Sequence, residues 1–248
     1  MLVKNPQLVY VRRVDDGATP LHLAQNAAVA AALIENGADI EAMDNSTRST
    51  PLHWALDREL FEKKSDTAAY LMDQGAKADD FLCLCALGDL DRIKAQVAKD
   101  PSLANYGPHP DDQLGPTALH VAVEYGHLEL VRFLVDHGAN VNSMREVSPL
   151  HFAAWFNRIE IATFLLEHGA KLMALDTNYH ETPMGWAIYR GQPEMVRFLL
   201  ARGTKVTATD RNNAISGEHG KNGPPCGTPE DYRKIQELLK TASSRPSE

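Results

Sequence analysis

Five variants of one phrase constrain this chain more than any other feature: TPLHLA from Thr19, TPLHWA from Thr50, TALHVA from Thr117, SPLHFA from Ser148 and TPMGWA from Thr182. Self-similarity at about 30 to 35 residues is the mark of one supersecondary unit written several times, each copy burying its apolar face against the next. A stack of that kind presents a continuous surface before it presents a catalytic pocket, so the repeat directs attention to binding.

The unit reads most clearly between Gly115 and Asn142. Thr117 is a helix-capping residue, and other copies follow the cap with proline at the first helical position, where its missing N–H costs nothing. Leu119, Val121 and Ala122 begin a short helix that Gly126 ends. A second helix starts at His127, with Leu130, Val131, Leu134 and Val135 forming an apolar stripe. His137 and Gly138 close it, as a polar side chain near the last carbonyls followed by glycine should. The closing pattern recurs as IENGAD from Ile34, MDQGAK from Met72, LEHGAK from Leu166 and LARGTK from Leu200.

The arrangement resembles the ankyrin repeat, a β-turn followed by two antiparallel helices built around T-P-L-H-x-A. FLCLCALGDLDRIKAQV lacks the phrase but keeps Gly88, Ile93 and Val97, and is read as a degenerate copy. The resemblance implies an all-α ankyrin-repeat solenoid of about six helix-turn-helix repeats plus a C-terminal capping helix. Repeats are expected near 17–46, 48–78, 79–112, 115–144, 146–177 and 180–210, after an N-terminal cap segment at 1–16. A degenerate cap over 211–241 and a disordered tail at 242–248 complete the reading.

The copies are uneven, with caps at 19, 50, 79, 117, 148 and 182 and spacings of 31, 29, 38, 31 and 34. Repeat 1 is too short for a full first helix, RELFEKKSD lengthens repeat 2, and DPSLANYGPHPDDQLG reads as an enlarged finger loop. DRNNAISGEHGKNGPPCG is read as replacing the first helix of a seventh unit, with TPEDYRKIQELLK as the terminal helix. This irregularity looks like the divergent ankyrin proteins common in bacteria.

A net charge of -8 without a Lys/Arg cluster argues against nucleic acid. No stretch approaches the ~20 apolar residues of a membrane span, and MLVKNPQLVYVRRVDD holds no run of the signal-peptide kind. Cys83, Cys85 and Cys226 make no even framework and no metal spacing, which favours a reducing compartment. The expectation is a cytoplasmic monomer with a protein partner, no nucleic acid, no membrane, no metal and no cofactor.

Ten histidines invite a catalytic or metal reading. His22, His53, His120 and His151 all occupy the capping phrase, where the resemblance implies a bond inside the turn. Equivalent positions in stacked helices lie about 8–10 Å apart, too far to share one zinc ion with ligands near 2 Å. Helix ends account for His137 and His168, whereas His109, His180 and His219 lie in loops without an assigned role. No H-E-x-x-H, G-x-S-x-G or phosphate loop is present, so no catalytic residue is assigned.

The resemblance further implies that two residues after the paired small residues of each first helix, together with the finger residues before each cap, face a concave groove. By position these are Asp57 and Arg58, Ala86 and Leu87, Glu124 and Tyr125, Trp155 and Phe156, Tyr189 and Arg190. Trp, Tyr and Arg dominate interface hot spots, so repeats 4 to 6 form the candidate partner site: Glu124, Tyr125, Trp155, Phe156, Tyr189 and Arg190. Arg145 and Tyr179 join them from the fingers, beside Glu146, Asn178, His180 and Glu181, with Tyr106 and Asp111 on the larger loop. Trp54 and Trp186 are expected in the core. The expected function is a non-enzymatic interaction module. A dedicated inhibitor or antitoxin-like partner of an enzyme, and an enzyme with a site in the loops at His109 or His219, stand as alternatives.

Overall fold

A computed structural model describes residues 6–46, 49–55, 66–77, 81–107, 116–144, 146–219 and 227–243, with side-chain placement from 7 to 242 within those spans. The chain divides into two compact units, Met1–Ala86 and Leu87–Glu248.

The first unit opens with a 3-10 helix at Pro6–Tyr10. Residues 20–23 make only a turn, because Asn26 arrives almost at once and its carboxamide caps the next helix, accepting from Val29 N at 2.9 Å. That helix, α1 (Ala27–Glu35), packs on α2 (Thr67–Asp73), while residues 51–55 are helical and α3 (Phe81–Leu87) lies at the unit boundary. Val9, Leu21, Leu33, Leu52 and Leu71 supply the core. The missing first helix of repeat 1 is therefore a consequence of an early cap.

In the second unit α4 (Leu90–Lys99) starts at Asp89 and a 3-10 helix follows at Pro101–Asn105, capped by Asp100. Then come the pairs α5 (Ala118–Tyr125) and α6 (Leu128–Asp136), α7 (Pro149–Trp155) and α8 (Ile159–Glu167), α9 (Pro183–Tyr189) and α10 (Pro193–Ala201), α11 (Ala208–Glu218) and α12 (Pro229–Ser243). The first helices α5, α7, α9 and α11 pack in sequence, and α12 packs on both α10 and α11. Leu119, Leu130, Leu134, Leu150, Leu165, Met184 and Leu199 form a continuous core between the two rows. Gly126 ends α5 in the left-handed region (φ 83°), and a Cβ there would meet the Arg158 guanidinium at 2.7 Å. Glycine at that position lets one repeat rest on the next.

Several expectations are corrected. Residues 210–218 of the segment read as lacking a helix lie in α11, which is capped by Thr207, whose hydroxyl donates to Asp210 at 2.8 Å. The degenerate cap at 211–241 is thus a helix pair beginning at Thr207, obscured because T-A-T-D replaces T-P-L-H. Residues 242 and 243 belong to α12 rather than to a tail. Ala86, assigned to the groove, is buried. The start of the large loop is the 3-10 helix at 101–105. The insertion at 56–65, the cap at 79, and Asp57, Arg58, His109, Asp111, Arg145 and Cys226 fall outside the described residues.

Candidate functional site

The capping phrase builds more than a cap. His151 Nδ1 faces the Ser148 backbone N–H at 3.2 Å and therefore accepts, which leaves Nε2 as the protonated nitrogen, 3.1 Å from the carbonyl of Glu181 in the next repeat. His120 does the same between Thr117 N and Val147 O, and His22 between Thr19 N and Ser49 O. Each imidazole is consequently a neutral tie from a helix start to the finger that follows. Burial pushes the pKa of His22 and His151 down.

The fingers are fixed from below by an aspartate. Asp176 is 1% exposed and accepts from the backbone N–H groups of Asn178, Tyr179 and Glu181 and from the Trp186 indole N–H at 3.0 Å. These donors hold its carboxyl below the usual carboxylate range even though burial opposes them. Asp44 repeats the device in the first unit, accepting from Trp54 Nε1 at 2.9 Å. Trp54 and Trp186 were expected in the core, yet both are only half-buried, because the indole N–H needs an acceptor and the finger aspartate provides it.

Repeat 6 lacks the imidazole tie, since Gly185 stands where the phrase has histidine. The vacated space is taken by Glu181: a Cβ on Gly185 would lie 2.4 Å from Glu181 Oε2. Glu181 Oε1 in turn accepts from Asn213 of α11 at 3.2 Å, so a carboxylate now joins finger to helix. Burial raises its pKa, and Asp210 and Asp176 add to the rise.

The groove residues separate into those brought together and those not. Trp155 and Tyr189 stack at 5.9 Å with planes 15° apart, and Arg190 lies over the Trp155 ring at 4.8 Å. Trp186 meets Trp155 edge-on at 5.1 Å. Two successive first helices thus assemble one half-exposed aromatic patch with a guanidinium on it. Tyr179 stands at the finger, 75% exposed. Phe156 instead packs edge-on to Phe152 at 6.2 Å, and Tyr125 stacks on His127 at 6.3 Å with its hydroxyl enclosed. Glu124 is half-buried, and its carbonyl accepts from Arg158 at 3.0 Å. Sequence reasoning missed Trp186 as a member of the patch. The available signal was the D-x9-W spacing, written once as Asp44 to Trp54 and again as Asp176 to Trp186.

Neighbouring fingers are stitched together by backbone. Thr177 N donates to Glu146 O at 2.9 Å, as Asn45 N donates to Asp16 O at 2.6 Å in the first unit. Glu146 and His180, each two residues before a cap, adopt φ of 70° and 55°, the conformation Gly17 takes at the same position. Among the described residues, no group of three or more His, Cys, Asp or Glu is arranged to hold a metal ion, and no helix is long and apolar enough to cross a membrane.

Comparison with known proteins agrees with this geometry. Ankyrin-repeat family models match residues 82–176 (three copies), 157–200 (many copies) and 16–45 (a single repeat). Human Rabankyrin-5 is 31% identical over 137 residues, which is 52% of this chain but 11% of that protein.

Proposed function

The chain belongs to the ankyrin-repeat family, a class of protein-interaction modules, and from that premise we propose that it takes a protein partner on the first-helix and finger face of repeats 4 to 6 without catalysing a reaction. The observation that carries this reading is the patch at Trp155, where Tyr189, Trp186 and Arg190 converge on a ring that remains half-exposed. Aromatic rings and arginine held rigid at low entropy cost are the groups that dominate binding energy. The polar finger residues Asn178, Tyr179 and His180 beside them supply the edge expected around an apolar centre. The same reading has the protein working as a cytoplasmic monomer.

The test is affinity capture from native extract with the wild-type chain and with Trp155→Ala/Tyr189→Ala. A protein retained by the first and lost by the second, with circular dichroism unchanged, supports the proposal. Loss of an interface tryptophan should cost at least about 2 kcal/mol, more than tenfold in affinity. An identical set of captured proteins would remove this face from consideration. A captured protein that is one enzyme, silenced by the chain at equal molar amounts, would select the dedicated-inhibitor form of the reading.

A further inference from the structure

Arg190, like Arg202 over Phe198, stacks on a ring without a side-chain hydrogen bond or ion pair among the described residues, whereas the other arginines described in the second unit have acceptors. Arg132, Arg197 and Arg233 pair with Glu129, Glu194 and Glu218, Arg92 with Asp89, and Arg158 donates to the Glu124 carbonyl. The Arg190 side chain makes no ion pair or hydrogen bond among the described residues, while its backbone N–H donates to Trp186 O at 3.1 Å. Its Nε is enclosed without an acceptor and its Cζ lies over the Trp155 ring, while the residue as a whole is half-buried and neither terminal nitrogen is enclosed in the way Nε is. The stacking therefore fixes the direction of the guanidinium while its fork of donors stays vacant.

Three carboxylates on the same face are already engaged. Asp176 accepts from three backbone N–H groups and an indole, Glu181 from Asn213, and Glu146 from Asn178 at 3.4 Å. The face thus offers a held cation beside three engaged carboxylates. A partner basic in net charge would suit the chain's overall -8, yet long-range attraction of that kind is screened within about 8 Å at physiological salt. Contact chemistry at the patch decides what docks there.

Resting on the interaction reading above, we propose that Arg190 receives a carboxylate: the partner presents an acidic segment, its Asp or Glu side chain taken by the vacant guanidinium fork and its neighbouring apolar residue laid against Trp155 and Tyr189. An arginine fork matches a carboxylate with two parallel hydrogen bonds, and preorganisation by the ring lowers the entropy lost on binding.

A random-peptide display library selected on the full chain tests this. Peptides enriched on the wild type should carry an acidic residue at a fixed spacing from an apolar one. For one such peptide, replacing the carboxylate by its amide should weaken binding by about tenfold or more on the wild type. The same replacement should matter little on Arg190→Gln, which keeps the length of the side chain. If Arg190→Gln does not fold, Arg190→Lys and the peptide change measured on the wild type decide alone. Enrichment of lysine- or arginine-rich peptides overturns the proposal, as does Trp155-dependent binding with no acidic preference, and in both of those outcomes the interaction face stands. Absence of any Trp155-dependent peptide overturns the acidic-segment proposal and the interaction face together.

Discussion

Asp176 Oδ2 accepts the indole N–H of Trp186 at 3.0 Å across ten residues of chain, and in doing so ties the finger that carries Tyr179 to the helix that carries Tyr189. The same carboxylate closes the finger on itself through three backbone N–H groups. One buried side chain therefore sets the position of both edges of the aromatic patch.

Asp176→Ala leaves four donors without their acceptor, and each buried donor so exposed costs about 1–3 kcal/mol before relaxation and water recover part of it. We expect a loss of about 2–4 kcal/mol in chemical denaturation. Trp186→Phe, which removes only the indole N–H and its ring, should cost less. Equal stability of wild type and Asp176→Ala would show that the carboxylate is not what holds the finger.

Acid should loosen the repeats through their histidines. His151 and His22 titrate lower in the folded chain than in the unfolded one, so the unfolded state binds more protons as pH falls. Their contribution is complete above the unfolded pKa of about 6.5 and is lost as pH drops through the folded value. Unfolding midpoints should be flat above neutrality and decline below it. His151→Ala should flatten that decline while costing roughly 1–3 kcal/mol at pH 8, where the tie to Glu181 O is missing.

Glu181 works in the opposite sense. Its folded pKa is raised, so its protonated form is favoured by folding and its contribution is greatest below the unfolded carboxylate value, fading as pH rises through the folded one. Glu181→Gln retains an oxygen for Asn213 and removes the charge. The variant should melt higher than wild type at pH 7 and equal it near pH 3. A lower melting temperature at pH 7 would mean that the negative charge itself is required there.

Backbone strain predicts a contrast between two positions. His180→Gly relieves a left-handed residue with φ of 55°, a conformation costing about 1–2 kcal/mol for side chains, and returns part of that through the freer unfolded chain. A net gain of about 0.5 kcal/mol is expected. Gly191→Ala adds a Cβ at φ 66° that would lie 2.6 Å from Gly227 Cα, a backbone atom with little room to yield. It should destabilise by about 2 kcal/mol or more. Urea midpoints of the two variants moving the same way would contradict the assignment.

The repeat register was legible because it rests on local chemistry. Thr117 and Ser148 cap, Pro149 and Pro183 start helices, and Gly126, Gly138 and Gly169 turn the chain, each by rules acting within a few residues. The histidines were correctly assigned to the helix starts, but their second bond, to a carbonyl some 27 to 30 residues on, needs the neighbouring repeat in place. The helix α11 was missed for the complementary reason. Its cap, Thr207 with Asp210, is sound chemistry in unfamiliar spelling, and its low apolar content hides a face that only packing against α9 and α12 explains.

The candidate site divides along the same line. The resemblance to ankyrin repeats, carried over position by position, placed Trp155, Tyr189 and Arg190 on a common face, because a fixed period carries equivalent side chains to equivalent positions. Which of the aromatics would join was a tertiary decision. Phe156 turned to Phe152 and Tyr125 to His127, while Trp186 left the core for Asp176 and completed the patch. The repeat period determines where a side chain starts; its rotamer is set by the nearest ring, acceptor or void, and those belong to residues distant in sequence.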